Sequence, residues 1–279
     1  MREHLKDCRR IVVKVGTSTI TYPNGRLNLK RVEELAWVLT DLRNRGKDVI
    51  LVSSGAIGVG AVRMAMKTRP TAVREKQAAA AVGQAMLMQI YHNFFDRYNQ
   101  TVAQVLLTKE ELSSDSRYEN TKNTLETLLE MGIIPIVNAN DTISTYEIEI
   151  SDNDRLSAMV AEIIHADLLL LLTDIDALYD KDPRNNPDAR RVAHVAAVTD
   201  EIRAMAGEKR LGIQRRRHEN KAAGGRHLPC GKCKNGNRQR RRSEGYPPHH
   251  RWGGHRYAVW LIQEMMKKEK LEKNWRFTQ

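Results

Sequence analysis

The sequence predicts an α/β protein: a three-layer αβα sandwich on an open, mostly parallel sheet. Three observations carry this prediction. Short β-rich runs recur with helical patterns between them, those runs end in glycine or polar clusters, and the run at 168–172 is five consecutive leucines. Regular alternation of strand and helix favours parallel crossovers with helices on both faces, and a strand covered on both faces has no polar phase.

The elements follow in order. "RIVVKVG" (10–16) is a β-branched run closed by glycine, and "NLKRVEELAWVLTDLRNRG" (28–46) has apolar residues at helical spacing and a glycine stop. "KDVILVSSGA" (47–56) is the next strand, which makes the first three elements a strand, helix, strand crossover. Helical patterns cover about 74–99, rich in Ala, Met and Leu, and about 116–131; strands follow each, as "TVAQVLL" and "GIIPIVNAND". "DNDRLSAMVAEIIHA" is a helix with an acidic first turn, leading into "DLLLLLTDIDALYD", whose leucines are read as a central strand.

Length and composition set bounds. A chain of 279 residues is long enough to bury a large core. It holds no stretch of about 18 apolar residues, and "MREHLKDCRR" lacks the apolar stretch of a secretory leader. The three cysteines, Cys8, Cys230 and Cys233, offer no disulfide framework. A cytoplasmic protein with no membrane partner is expected.

The net charge of +12 suggests a polyanionic partner until it is divided along the chain. Residues 1–208 carry 26 Lys/Arg against 29 Asp/Glu, whereas 209–279 carry 20 against 5. The basicity therefore belongs to the tail.

In parallel sheets ligands lie beyond the carboxyl ends of the strands. Clusters there are Lys14-Val15-Gly16-Thr17-Ser18; Ser53-Ser54-Gly55-Ala56 with Gly58 and Gly60; Asn138-Ala139-Asn140-Asp141; Ser151-Asp152-Asn153-Asp154; and Thr173-Asp174-Ile175-Asp176. Small residues let backbone N–H groups approach an anion. Neither glycine loop is a Walker A motif, and each alone is also compatible with an ordinary turn. Ser151 and Asp152 read first as helix-capping residues. Lys14 ends an apolar strand, where a long cation reaches into the cleft.

"VVKVGTSTI", "VILVSSGAIGVG", "GIIPIVNANDTIS", "SDNDRLSAMVA" and "LLTDIDALYDKDPRNNPDA" together resemble the glutamate 5-kinases of the amino acid kinase superfamily, almost continuously over 8–207. The resemblance implies the amino acid kinase fold and transfer of the γ-phosphoryl of ATP to the side-chain carboxylate of L-glutamate, the first step of proline synthesis. It implies that Ser54, Asp141 and Asn153 hold glutamate, that Lys14 and Gly16 meet the ATP phosphates, and that Thr173 and Asp174 line the nucleotide site. Asp154 would orient lysines, with Lys14, Asp154 and Lys221 as the catalytic set. Mg²⁺, a homo-oligomer and functional coupling to glutamyl phosphate reductase are implied too. Aspartate and acetylglutamate kinases are the alternative within the superfamily, and "SSGAIGVG" and "NANDTIS" favour glutamate.

After residue 208 the sequence departs from that pattern. Such kinases continue with a segment resembling Gly-Thr-Gly-Gly-Met-x-Thr-Lys, where this chain reads "RLGIQRRRHENKAAGG". The run Arg216 to Gly224 can be encoded CGG CGG CAT GAA AAC AAA GCT GCA GGC, which one base later reads GGMKTKLQ. Further on, the same frame permits AAD, ANAKTVIANG and VILRIIDGEDIGTLFG, and a stop within Trp260-Leu261-Ile262. The expectation is two regions: a kinase domain at 1–208, and a basic tail at 209–279 that is an out-of-frame remnant of the nucleotide half.

An incomplete core, an exposed sheet edge and weak ATP binding would follow. A C-terminal RNA-binding-like domain, which some members carry, is expected in neither frame. Cys230 and Cys233 with His218, His227, His249, His250 and His255 have the residue types of a zinc site, and the arginines those of a nucleic-acid arm. One Cys-x-x-Cys with scattered histidines is weak, however, and the shifted frame explains both. No specific nucleic-acid partner is expected. Lys221 is encoded in either frame, at the position of the family's second lysine.

Overall fold

The computed structural model describes residues 7–108, 115–143, 153–173, 178–181, 186–192 and 256–258. Along the first strand, β1 (Arg10–Val15), Val12 and Val13 are both buried but on opposite faces, so the sheet is covered on both sides. One face receives α2 (Leu29–Asn44) and α4 (Val73–Asp96), through Val32, Leu35, Leu39, Leu87, Tyr91 and Phe95. The other receives α5 (Asp115–Glu130) and α6 (Asn153–Ile163), through Leu125, Leu129, Leu156, Val160 and Ile163. This is the expected αβα sandwich.

The remaining strands are β2 (Asp48–Val52), β3 (Val102–Leu107), β4 (Ile134–Ala139) and β5 (Leu168–Leu172), with short β6 (Leu178–Tyr179) and β7 (Arg191–Val192) forming a separate antiparallel pair. The main sheet runs β3-β4-β2-β1-β5, every pair parallel, with β8 (Arg256–Ala258) beside β5. Capping explains the limits of α2. The Asn28 side chain accepts from the Arg31 amide, and Gly46 at φ 78° ends the helix as the sequence predicts.

Three features differ from expectation. The leucines of β5 are shared between both cores, as an all-apolar strand requires, but β1 and β2 are more central. One more short strand than the sequence suggests lies beyond β5, because β8 pairs with Leu168, Leu169 and Leu170 and becomes the edge of the described sheet. Two helices were not anticipated: α1 (Thr17–Ile20) and α3 (Ala56–Arg63), which lie within segments read as glycine loops.

Helix α3 packs on α4 at backbone distance. A Cβ on Gly60 would stand 1.8 Å from the Ala79 carbonyl oxygen, and one on Gly83 1.8 Å from that of Ala56. Only glycine permits this approach. The contact fixes the start of α3, directly after Ser54 and Gly55, relative to α4.

Candidate active site

Register brings the strand ends together. Lys14 pairs with Val52 and Leu171, and Val52 with Val137, so Gly16, Ser53, Ser54, Asn138 and Thr173 emerge along one carboxyl edge. Strand periodicity then decides which face each side chain takes. Lys14 shares the phase of Val12 and turns toward α6. Ser53 and Asn138 continue the phases of Leu51 and Ile136 and turn toward α4.

The Lys14 ammonium meets the carboxylate of Asp154, in the first turn of α6, with Nζ to Oδ1 at 2.5 Å. The Lys14 side chain is only 11% exposed and that of Asp154 is 53% exposed, so the lysine is largely enclosed while its acid faces solvent. Asp154 therefore does more than complement a helix dipole. The Gly16 amide and the Thr19 hydroxyl both donate to the Leu172 carbonyl, at 3.3 and 3.1 Å, tying the turn after β1 to the start of the Thr173 segment. A Cβ on Gly16 would make only ordinary contacts, the nearest 3.6 Å from Lys14 Nζ, so packing alone does not demand glycine there. Gly55 differs: its φ of 99° lies in the left-handed region.

Asn153, the first residue of α6, is the hub. Its Nδ2, which carries two hydrogens, faces three acceptors, the Ser53 carbonyl at 2.6 Å, Ser54 Oγ at 2.7 Å and, sharing a hydrogen, Asn138 Oδ1 at 3.1 Å. Asn138 Oδ1 also accepts from the Ala139 amide, and Asn138 Nδ2 donates to Gln84 Oε1 at 2.8 Å. Ser53 Oγ lies 2.8 Å from the Tyr91 hydroxyl. Asp141 is half-buried at the end of β4, and the nearby Thr142 hydroxyl bonds Asn140 Oδ1.

Of the sequence-derived residues, Lys14 and Asp154 are paired, and Ser54 and Asn153 are bonded across 99 positions. Gly16, Asp141 and Thr173 share their edge. Asp174, Lys221 and the cysteines and histidines of the tail lie outside the described residues. Sequence reasoning did not single out Gln84 or Tyr91. The usable signal was helical phase: Gln84 stands four residues after Ala80 and three before Leu87, on the apolar stripe of α4.

Burial pushes the Tyr91 hydroxyl up from the usual 10.0 to about 12, against a smaller opposite effect from its bond to Ser53. The unfolded chain thus loses this proton first as pH rises. The contribution to stability is intact below pH 10 and disappears as pH climbs toward 12. Denaturant titrations over that window should show falling stability, and Tyr91→Phe should flatten the fall.

The amino acid kinase family model matches residues 9–213. A glutamate 5-kinase of Listeria innocua is 54% identical over 213 residues, covering 75% of this chain and 77% of that one. Another, from Clostridium perfringens, is 54% identical over 211 residues, covering 74% and 78%. A UMP kinase structure from Ureaplasma parvum superposes with a TM-score of 0.50 at 15% identity, covering 73% of this chain and 87% of that one.

Proposed function

Because the chain belongs to the amino acid kinase family, among its glutamate 5-kinases, we propose that it transfers the γ-phosphoryl of ATP to the side-chain carboxylate of L-glutamate, opening proline synthesis. The observation that carries this at the site is the mostly enclosed Lys14 held by Asp154 at the end of β1, with Asn153 of α6 bonded to Ser54 beyond the neighbouring β2. A glutamate carboxylate is already ionised at neutral pH, so the nucleophile needs no general base. It needs alignment and cover for negative charge on both sides of the moving phosphoryl group. Ser54, Asn153 and Asp141 hold and align the amino acid, while Lys14, kept in place by Asp154, covers the phosphates.

Gly16, Thr173 and Asp174 serve the nucleotide side in this proposal. Mg²⁺ bound with ATP would supply charge shielding for the phosphates, and the carboxylates of Asp141 and the half-exposed Asp154 are oxygen donors of the type that would hold it. Homo-oligomeric assembly, a cytoplasmic location and coupling to glutamyl phosphate reductase belong to the same proposal. Its product is an acyl phosphate, which hydrolyses unless consumed. Among the described residues no helix is long and apolar enough to cross a membrane.

The tail reading is part of the proposal: residues 209–279 translate the nucleotide half one base out of frame. The family match ending at residue 213 supports it, as does the excess of basic residues that begins near the same place. Resequencing the coding DNA is expected to find the alternative-frame codons near residues 208–216; an open frame without them rejects the reading. The function itself is tested by hydroxamate formation with glutamate, aspartate and N-acetylglutamate, on the chain as it stands and on a frame-restored version. Turnover with glutamate, greater in the restored chain, is the expected result; preference for another acceptor overturns it.

A further inference from the structure

Helix α4 reaches the substrate edge from the face opposite α6, through a residue to which the reaction just described assigns no task. Gln84 is 7% exposed, on an apolar stripe where methionine or leucine would fill a similar volume without burying an amide. Its Oε1 accepts from Asn138, while its buried Nε2 has no hydrogen-bond partner among the described residues. A packing role alone does not explain a buried amide with one end unsatisfied.

We propose that Gln84 is a positioning residue for the amino-acid site, fixing the orientation of the Asn138 carboxamide and, through it, that of Asn153. The two ends of a carboxamide are alike in shape and opposite in hydrogen bonding. Asn153 Nδ2 lies 3.1 Å from the end of the Asn138 side chain, where a second NH2 group would be repelled, so Asn138 must present oxygen toward it. The Asn138 nitrogen then needs an acceptor on the α4 side, and Gln84 Oε1 supplies it. The Ala139 amide holds the Asn138 oxygen in the same sense. Without Gln84 the Asn138 nitrogen becomes a buried donor with nothing to bond, and turning it around breaks the bonds from both Ala139 and Asn153. The platform for this relay is rigid, because the adjacent Gly83 locks α4 against the carbonyl of Ala56 at the start of α3. Gln84 and Ser54 are thereby held in one frame.

The inference rests on the glutamate reading for the identity of the ligand, and the test separates the two. In the full chain, Gln84→Met and Gln84→Glu are compared with the parent by nuclear magnetic resonance of the Asn153 side-chain amide without ligand, by calorimetric titration of L-glutamate, and by thermal melting. Gln84→Met is expected to shift the Asn153 amide signal, speed its hydrogen exchange and weaken glutamate binding about tenfold. Gln84→Glu keeps an accepting oxygen and should preserve the Asn153 signal, with affinity within about threefold of the parent. A lower melting temperature with an unmoved Asn153 signal would mean a merely structural glutamine and overturn the proposal. So would loss of that signal in a folded Gln84→Glu protein. Should the parent bind no glutamate while Gln84→Met still shifts Asn153, the relay stands and the substrate reading falls.

Discussion

Lys14→Ala in the frame-restored chain is expected to cut glutamate-dependent turnover by roughly a hundredfold or more, about 3 kcal/mol of transition-state stabilisation, with glutamate affinity little changed. The separation follows from placement. Lys14 leaves β1 on the α6 side and pairs with Asp154, whereas the Asn153–Ser54 hydrogen bond joins α6 to the end of β2. Its charge matters most when negative charge gathers on the transferring phosphoryl group. The substitution should not unfold the protein, since the Asp154 left behind is 53% exposed and water can take over its solvation. Steady-state kinetics and calorimetric glutamate titration measure the two quantities separately. Unchanged turnover rejects the role of Lys14; an equal loss in affinity would make it a binding residue instead.

The elements that carry this site were legible for a simple reason. Parallel strands buried on both faces leave near-continuous apolar runs, and ligand groups gather where those runs stop. Lys14, Ser54 and Thr173 each fall at or beside such a stop, and Asn153 opens the helix that leads into β5, so their approximate company could be inferred. Their pairing could not, because it depends on register: Lys14 level with Leu171, and Val52 level with Val137. Gln84 and Tyr91 were hidden for a different reason. They lie inside a helix whose Ala- and Met-rich texture reads as core, and only the opposing strand ends reveal that Asn138 and Ser53 need partners there. Helix α3 was obscured by Gly58 and Gly60, which lower helix propensity and made the segment look like a loop.

Those glycines yield the second large effect. Gly83→Ala should destabilise the protein by about 3 kcal/mol or more, because the new Cβ would meet the Ala56 carbonyl oxygen at 1.8 Å and no rotamer change can move a backbone atom aside. Gly60→Ala meets the Ala79 carbonyl oxygen at the same distance and should behave alike. For a domain of this size that is a fall of roughly 6 to 12 °C in melting temperature. Gly58 supplies the internal control. A Cβ there meets nothing within 4 Å among the described residues, so Gly58→Ala should hold or raise stability by up to about 1 kcal/mol through helix propensity alone. If all three substitutions moved the melting temperature equally, close packing of α3 on α4 would not be the cause. The damage should also reach the site. Parting the helices displaces Ala56, hence Gly55 and Ser54, away from Gln84 and Tyr91, so any Gly83→Ala protein that still folds should bind glutamate more weakly than its stability loss alone accounts for. Calorimetric titration below the melting transition, on the folded fraction, separates those two consequences.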